Sequence, residues 1–353
     1  MRRHSITSTL RTATIAVAVA ITASLALAGC VPGEGSAAKA NTSGDKTSAT
    51  VTEGGTLNID FATYNPLSLV IKDQGWLESA LKKQHITVNW LQSAGSNKAN
   101  QALLANAIDI GSTAGSAALL ARSNGSPIRT IDIYSQPEWS AIVVGPGSKF
   151  TSVKQLKGKK IAATKGTDPY FFLLQALEAN GLTTDDVDII NLQHADGWAA
   201  LQNGSVDAWA GLDPIMATAE TQGAKLIFRK VDFNTYGFLN ATEAFTKGKP
   251  DVAQTVVNVY EYARAWAQKH PDETAKILSN VAGITEPVAT KVIAERTNLD
   301  VSPLPGAAQL KVLKKVGPIY VASGDVAKQS QVDDALKVLL DPDFVKNAKP
   351  SIK

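Results

Sequence analysis

Residues 158–214 read GKKIAATKGTDPYFFLLQALEANGLTTDDVDIINLQHADGWAALQNGSVDAWAGLDP. Short apolar runs alternate with helical ones in this stretch, which is typical of strands joined by helices. We predict strands at 161–163, 187–192 and 206–210. The first helix should begin at Asp168-Pro169, because an acidic N-cap followed by proline is a common helix start, and Gly181 should end it.

Polar loops follow these strands at 164–168, 193–197 and 211–214. Parallel strands joined by right-handed helical connections place such loops along one edge of a sheet, where open α/β sheets bind ligands. Each loop leads into a helix start, whose free backbone N–H groups and partial positive charge attract anions. The sequence therefore predicts a ligand-binding edge here.

An earlier segment repeats part of this pattern. Residues 105–110 (ANAIDI) align with residues 203–208 (NGSVDA), and each copy combines a tight turn, an aspartate and a short buried strand. In the first copy we predict the strand at 108–110 and, after it, a loop at 111–115. We interpret the repeat as a sign of two similar α/β lobes, and we expect Asp109 and Asp207 to have structural roles.

The alternation of strands and helices begins near residue 57 and is interrupted at 135–139, which we interpret as a crossing between the lobes. The return crossing is expected near 236–240. The predicted domains are a first lobe of 56–138 plus 238–353 and a second lobe of 139–237. After residue 241 the chain is helical with amphipathic stripes, and no motif there indicates chemistry.

The N-terminus has the pattern of a secretory signal. A basic segment with Arg2, Arg3 and Arg11 precedes an apolar run at 13–28 and the residues Leu27-Ala28-Gly29-Cys30. This ending resembles a bacterial lipobox, so residues 1–29 are predicted to be removed and Cys30 to be lipidated. Residues 30–55, rich in Gly, Ser, Ala and Thr, should form a flexible tether.

Composition argues against several classes of function. Cys30 is the only cysteine, so no disulfide, thiolate metal site or cysteine nucleophile is expected, and no two histidines have metal-ligand spacing. Loss of the signal would leave 32 basic and 32 acidic residues, which gives no support to nucleic-acid binding. Signatures of serine hydrolases, Walker-type nucleotide sites and zinc proteases are absent, and we predict neither an enzyme nor a cofactor.

Several segments resemble a known family. They are SVKQLKGKKIA at 152–162, LLQALE at 173–178, GSVDAW at 204–209, WLESAL at 76–81 and LDPDF at 340–344. Together they resemble the substrate-binding lipoproteins of ABC importers for aliphatic sulfonates, taurine and nitrate. The resemblance covers residues 56–350.

The resemblance implies an α/β, two-lobed periplasmic-binding-protein clamshell with two Rossmann-like lobes, two hinge strands and C-terminal helices. Such a protein would act as a monomer, close on a small organic anion, and deliver it to an ABC permease and its ATPase. It would be secreted and lipid-anchored to the outer face of the bacterial cytoplasmic membrane, which is the periplasmic side in a Gram-negative cell. An aliphatic sulfonate is the favoured ligand.

The expected ligand-binding residues are hydroxyl and amide groups at strand ends, cleft aromatics, and polar loop residues. They are Tyr64, Asn65, Ser96, Ser112, Thr113, Gln136, Trp139, Gly166, Thr167, Asp168, His194 and Asp213. The hydroxyl residues and Asp168 have an alternative role, which is to cap the start of a helix instead of binding ligand.

Several alternatives stay open at this point. Asp168, Asp196, Asp213 or Glu138 could hold the ammonium group of taurine. The ligand could also be nitrate or a thiamine-precursor pyrimidine. The protein could also have a sensory role or be a clamshell enzyme acting on a small acid, because one fold hosts many functions.

Overall fold

Two five-stranded mixed sheets organise the chain in the computed structural model, which describes residues 54–352. The strands of the first sheet, in spatial order, are β2 (Ile86–Gln92), β1 (Gly55–Phe61), β3 (Ile110–Ala114), β10 (Gly237–Thr242) and β4 (Ile128–Ser135). The strands of the second sheet are β7 (Asp188–Asn191), β6 (Lys160–Ala163), β8 (Ala208–Leu212), β5 (Ser140–Val144) and β9 (Lys225–Phe228).

Each sheet contains one strand that runs against its neighbours. β10 is antiparallel to β3 and β4, and β5 is antiparallel to β8 and β9. β3, β5, β8 and β10 are buried along their whole length, because helices cover both faces of such sheets. The predicted α/β class with two lobes of similar build is confirmed.

The chain crosses between the sheets twice. It leaves the first sheet after Ser135 and enters the second at Ser140, so the predicted crossing at 135–139 is confirmed. The return lies between Phe228 and Gly237, and most of the predicted stretch 236–240 belongs to β10 itself. The domain boundaries at 138/139 and 237/238 stay a prediction.

Seven α-helices accompany the strands as far as β9. They are α1 (Pro66–Asp73), α2 (Trp76–Leu81), α3 (Ser96–Leu104), α4 (Gly115–Ser123), α5 (Asp168–Ala179), α6 (His194–Gln202) and α7 (Ile215–Thr221). Gly181 follows α5 with φ of 73°, in agreement with its predicted role in ending that helix.

The helical tail is also present. Its helices are α8 (Glu243–Gly248), α9 (Pro250–Lys269), α10 (Pro271–Ala282), α11 (Glu286–Lys291), α12 (Ala307–Ala322), α13 (Gln329–Val338) and α14 (Asp343–Lys346), and a π-helical turn, Val292–Arg296, extends α11. The predicted stripe on α9 is core, as Val252, Val256, Val259, Tyr260 and Ala263 are buried. The tail therefore packs onto the sheets instead of forming a separate body.

Asp109 and Asp207 make the same hydrogen bonds in the two halves of the repeat. Asp109 Oδ2 accepts from the Asn58 N–H at 2.8 Å, and Asp207 Oδ2 accepts from the Lys160 N–H at 2.9 Å. The N–H of each aspartate in turn donates to the carbonyl of the same partner. Each aspartate thus ties the approach to one strand onto its neighbour, which confirms a structural role.

The predicted signal peptide, the lipidation site at Cys30 and nearly all of the tether lie outside the described residues. The tether was predicted to reach residue 55, but Gly55 already belongs to β1. Among residues 54–352 no helix combines the length and the apolar character that crossing a bilayer requires.

Candidate ligand-binding site

Three helix N-termini converge between the two sheets. The Ala114 N–H, just before α4, donates to Ser96 Oγ at the start of α3 (2.9 Å). Ser116 Oγ, in the first turn of α4, donates to Asp168 at the start of α5 (2.5 Å). First-turn N–H groups lack intrahelical partners, and at α4 those of Gly115 and Ser116 donate to the Tyr236 carbonyl and to Thr235 Oγ1. The partial positive charge at the three helix N-termini makes this convergence suited to an anion.

A cavity of about 10 Å³ lies at this convergence. Its walls are Tyr64, Ser96, Ala114, Trp139, Thr167, Asp168, Pro169 and Leu212. A volume of this size holds one water molecule at most. The structure therefore represents the two sheets closed on each other, with no room for an organic ligand until they separate.

Tyr64 and Trp139 form the aromatic wall of the cavity, where the sequence analysis expected them. Their rings meet edge to face at 6.1 Å. The Tyr64 hydroxyl donates to the Ser112 carbonyl (2.9 Å), and Trp139 Nε1–H donates to Asp168 Oδ2 (2.8 Å). Both rings are thus held in fixed orientations, which suits them to pack against the organic body of a ligand.

Asp168 accepts hydrogen bonds at both carboxylate oxygens. Oδ1 accepts from Ser116 Oγ and from Thr235 Oγ1 (2.7 Å), whereas Oδ2 accepts from Trp139 Nε1 and from the Thr235 N–H (2.8 Å). The residue is only 1% exposed. Burial raises the pKa of this carboxyl group, and the four donors oppose that rise.

The prediction that Asp168 caps α5 was wrong. Thr167 is the N-cap residue and Asp168 is the first residue of the helix. The carboxylate points across the interface to Ser116, Trp139 and Thr235, because these donors from other segments satisfy it better than its own first turn does. Thr167 lines the cavity, although its hydroxyl donates to the Thr164 carbonyl (2.6 Å).

The loop predicted at 111–115 was also wrong, since β3 occupies Ile110–Ala114. Ser112 and Thr113 are fully buried in this strand. Ser112 Oγ donates to Asp60 Oδ1 (2.8 Å), and Thr113 Oγ1 accepts from the Asn240 side chain (2.8 Å). Pairing with β10 draws these residues into the sheet. Neither lines the cavity, so the structure does not bring their hydroxyls to the site.

His194 and Gly166 lie at the seam between the sheets. His194 begins α6, is 2% exposed, and its Nδ1 lies 3.2 Å from Thr164 Oγ1. Its Nε2 is buried with no hydrogen-bond partner, and a Cβ atom at Gly95 would lie 3.1 Å from it. Burial lowers the pKa of His194 to about 4. Gly166, with φ of 77°, faces Asn97.

Asn65 and Gln136 are not brought to the cavity. Asn65 is fully buried, accepts from the Ser68 N–H at the start of α1 (3.3 Å), and donates to the Tyr260 hydroxyl (3.3 Å). Gln136 is half-buried, and its N–H donates to the Asn298 carbonyl. Both residues have local structural roles in this closed arrangement.

A second cavity of about 10 Å³ lies on the other side of Tyr64 and Trp139, next to Asp213 and Arg296. Arg296 Nη1 binds both oxygens of Asp213 (2.8 and 3.0 Å), and Nη2 binds Glu220. Burial raises the pKa of Asp213 to about 6, although Arg296 opposes the rise. Asp213 also accepts from the Ala217 N–H (2.9 Å).

Three of these residues were not predicted from the sequence: Ser116, Thr235 and Arg296. Ser116 and Thr235 are single hydroxyl residues without a motif. Arg296 lies in the tail, where no chemistry was predicted, and only its place at the end of an amphipathic helix could have drawn attention to it. A π-helical turn presents it, and such turns are frequent at functional sites.

The arrangement can bind a small molecule through N–H and O–H donors, two aromatic rings and one buried guanidinium group. Across residues 54–352 no three His, Cys, Asp or Glu residues are grouped so that they could hold a metal ion. Asp213, the other predicted carboxylate, is neutralised by Arg296.

Comparison with known proteins identifies relatives. An aliphatic sulfonates-binding protein of Bacillus subtilis (strain 168) is 32% identical over 235 residues, which cover 65% of this chain and 70% of the relative. The alkanesulfonate-binding protein SsuA of Xanthomonas axonopodis pv. citri, solved with MOPS bound, superposes with a TM-score of 0.72 at 24% identity, covering 79% of this chain and 97% of that protein.

The fold also occurs in an enzyme. The desulfurization enzyme DSZB superposes with a TM-score of 0.62 at 16% identity, covering 83% of this chain and 98% of the enzyme. The resemblance found in the sequence is confirmed by the family comparison, because residues 68–274 match the model described as NMT1/THI5 like. The chain belongs to the NMT1/THI5-like family and has the periplasmic-binding-protein fold.

Proposed function

We propose that this chain is the extracytoplasmic substrate-binding protein of an ABC importer and captures a small organic anion, with an aliphatic sulfonate as the favoured ligand. The convergence of three helix N-termini beside Tyr64 and Trp139 carries the proposal. A sulfonate has three acceptor oxygens for such donors, and its organic body would lie against the rings. The relatives named for sulfonate binding support the same ligand class.

The mechanism we propose is binding with closure. The two crossings, 136–139 and 229–236, would act as hinges, and the sheets would part to admit the ligand and close over it. Trp139 lies in the first crossing and Thr235 in the second. Their hydrogen bonds to Asp168 would therefore change when the hinges move. An ABC permease and its ATPase would receive the closed form.

Binding is favoured over catalysis by the state of the buried acidic groups at the site. Asp168 is surrounded by four donors and Asp213 is paired with Arg296, so neither is free to act as a base.

Lipid attachment at Cys30 would hold the protein at the outer face of the membrane. A Cys30→Ser variant should move the protein from the membrane fraction to the soluble fraction.

A ligand screen tests the function. The purified protein would be melted with alkanesulfonates, taurine, arylsulfonates, nitrate and pyrimidines, and binders confirmed by calorimetry. A ligand at a hundredfold excess over its Kd stabilises the folded state by about 2.7 kcal/mol. We expect a shift of several degrees with an alkanesulfonate. A shift only with a pyrimidine or nitrate would contradict the ligand class, and turnover of any ligand would contradict the binding role.

A further inference from the structure

The carboxylate of Asp168 occupies the donors that an anionic ligand would need. Its four hydrogen bonds come from three places: the first turn of α4 (Ser116), the crossing into β5 (Trp139), and the crossing back to β10 (Thr235). These groups surround the convergence of helix N-termini. In this structure all four donors therefore hydrogen-bond to a side chain of the chain itself.

The charge of this carboxylate has no side-chain counterion. Among the described residues, no Lys or Arg makes an ion pair with Asp168, whereas Asp213 on the same edge of the second sheet is paired with Arg296. Asp168 is thus held only by hydrogen bonds and by helix N-termini, the interactions that hold a free anion in a protein cleft. A second anion placed beside it would meet repulsion that burial strengthens.

We propose that Asp168 determines specificity as a tethered competitor: an anionic ligand must displace its carboxylate from Ser116, Trp139 and Thr235 to occupy the closed site. This inference rests on the proposed function. Each of these donors serves one anion at a time, so ligand and side chain exclude each other. Asp168 holds the two sheets closed when ligand is absent, and it selects anions that can take over several of these donors at once, as the three oxygens of a sulfonate can.

The test is an Asp168→Asn variant, measured by calorimetry with 1-butanesulfonate at constant pH. Asparagine keeps the size of the side chain and removes the competing charge, so the Kd should fall about tenfold or more. The matched control is Asp272→Asn. Asp272 lies in the first turn of helix α10 in the helical tail and is exposed, and the control should change the Kd by less than about twofold.

A Kd that is unchanged or weaker in folded Asp168→Asn would overturn the inference, with circular dichroism and melting as the check of folding. A crystal structure of the wild-type protein with 1-butanesulfonate decides the matter if the variant does not fold. We expect a sulfonate oxygen at Ser116 Oγ and loss of the Ser116–Asp168 hydrogen bond. Retention of all four hydrogen bonds to Asp168 beside a bound sulfonate would overturn the proposal.

The two proposals fail in different ways. If wild type binds the sulfonate and Asp168→Asn binds no more tightly, the competitor role is wrong and the proposed function stands. If wild type does not bind the sulfonate and Asp168→Asn does, the competitor role is supported and the proposed sulfonate ligand of the wild-type protein is wrong. If neither protein binds any sulfonate while another ligand class binds wild type, the proposed ligand class is wrong and the competitor role falls with it.

Discussion

Arg296 shows how much one buried side chain contributes to this arrangement. Its side chain is 1% exposed and forms ion pairs with Asp213, which follows β8, and with Glu220 on helix α7. Arg296 itself comes from the helical tail. Removal of one partner of a buried ion pair is costly, since it leaves the other charge buried and unpaired.

Arg296→Ala should therefore lower the free energy of unfolding by about 3–5 kcal/mol, measured by urea denaturation. The matched control is Lys337→Ala, which removes the cation of an exposed ion pair with Asp334 and should cost less than about 1 kcal/mol. Equal effects of the two substitutions would show that Asp213 is solvated in solution, in contradiction to its burial beside Arg296.

His194 should make stability depend on pH. Burial lowers its pKa in the folded protein to about 4, from an ordinary value of 6.5. Between about pH 6.5 and pH 4, His194 therefore binds a proton in the unfolded chain but not in the folded protein. Stability is full above about pH 6.5 and falls as pH decreases toward 4, by up to about 3 kcal/mol from this residue.

His194→Gln should remove this part of the pH profile, so the difference in stability between wild type and variant should shrink as pH is lowered from 7 to 4. Melting at a series of pH values measures it. The control, His270→Gln, changes a partly exposed histidine that pairs with Glu273. Parallel profiles for wild type and His194→Gln would exclude His194 as the cause.

At the scale of elements, the repeat was predictable, but the residues at which its strands begin and end were not. Strands were predicted at 108–110 and 206–210, and the structure has them at Ile110–Ala114 and Ala208–Leu212. The prediction began two residues early in both copies, because Ile108 and Val206 are buried and apolar and so extend the local pattern. Long-range partners, β10 for β3 and β5 for β8, fix the strands further along.

That shift explains which site residues could be predicted. Tyr64, Trp139 and Asp168 follow or precede strands whose ends were placed correctly, so their positions at the cavity were foreseen. Ser112 and Thr113 were assigned to a loop that is a strand. Ser116 and Thr235 meet at Asp168, and Arg296 meets Asp213, only through the packing of distant segments, which no local pattern encodes.

Asp109 tests the structural interpretation of the repeat. Asp109→Ala would leave the Asn58 N–H without its side-chain acceptor and should cost about 1 kcal/mol of unfolding free energy. Ligand affinity should be unchanged, because the aspartate lies at the opposite end of β3 from the cavity. Loss of affinity at unchanged stability would instead place Asp109 in the binding site.

At the scale of the whole molecule, the seam between the sheets combines close contact with incomplete polar pairing. Gly95 on the first-sheet side faces His194 on the second-sheet side, and Asn97 Oδ1, Gln193 Oε1 and His194 Nε2 are buried there without hydrogen-bond partners. Unpaired buried groups make the closed form less favourable than a fully satisfied interface would be. Under the proposed mechanism, opening would return these groups to water, which would lower the cost of parting the two sheets.

Gly95 is the position at which closure can be blocked without strain in the backbone. Its φ of 162° is open to any residue, and an added Cβ would meet Asn97 Oδ1 at 2.9 Å and His194 Nε2 at 3.1 Å. Gly95→Leu should therefore hold the lobes apart and raise the Kd of the ligand by tenfold or more. It should also increase the radius of gyration measured by X-ray scattering with ligand present. Gly248→Leu is the matched control, since a Cβ there has nothing within 4 Å. If Gly95→Leu binds as wild type does and scatters as a closed molecule, the seam is not part of the bound form, and the closure mechanism would have to rely on a different contact between the sheets.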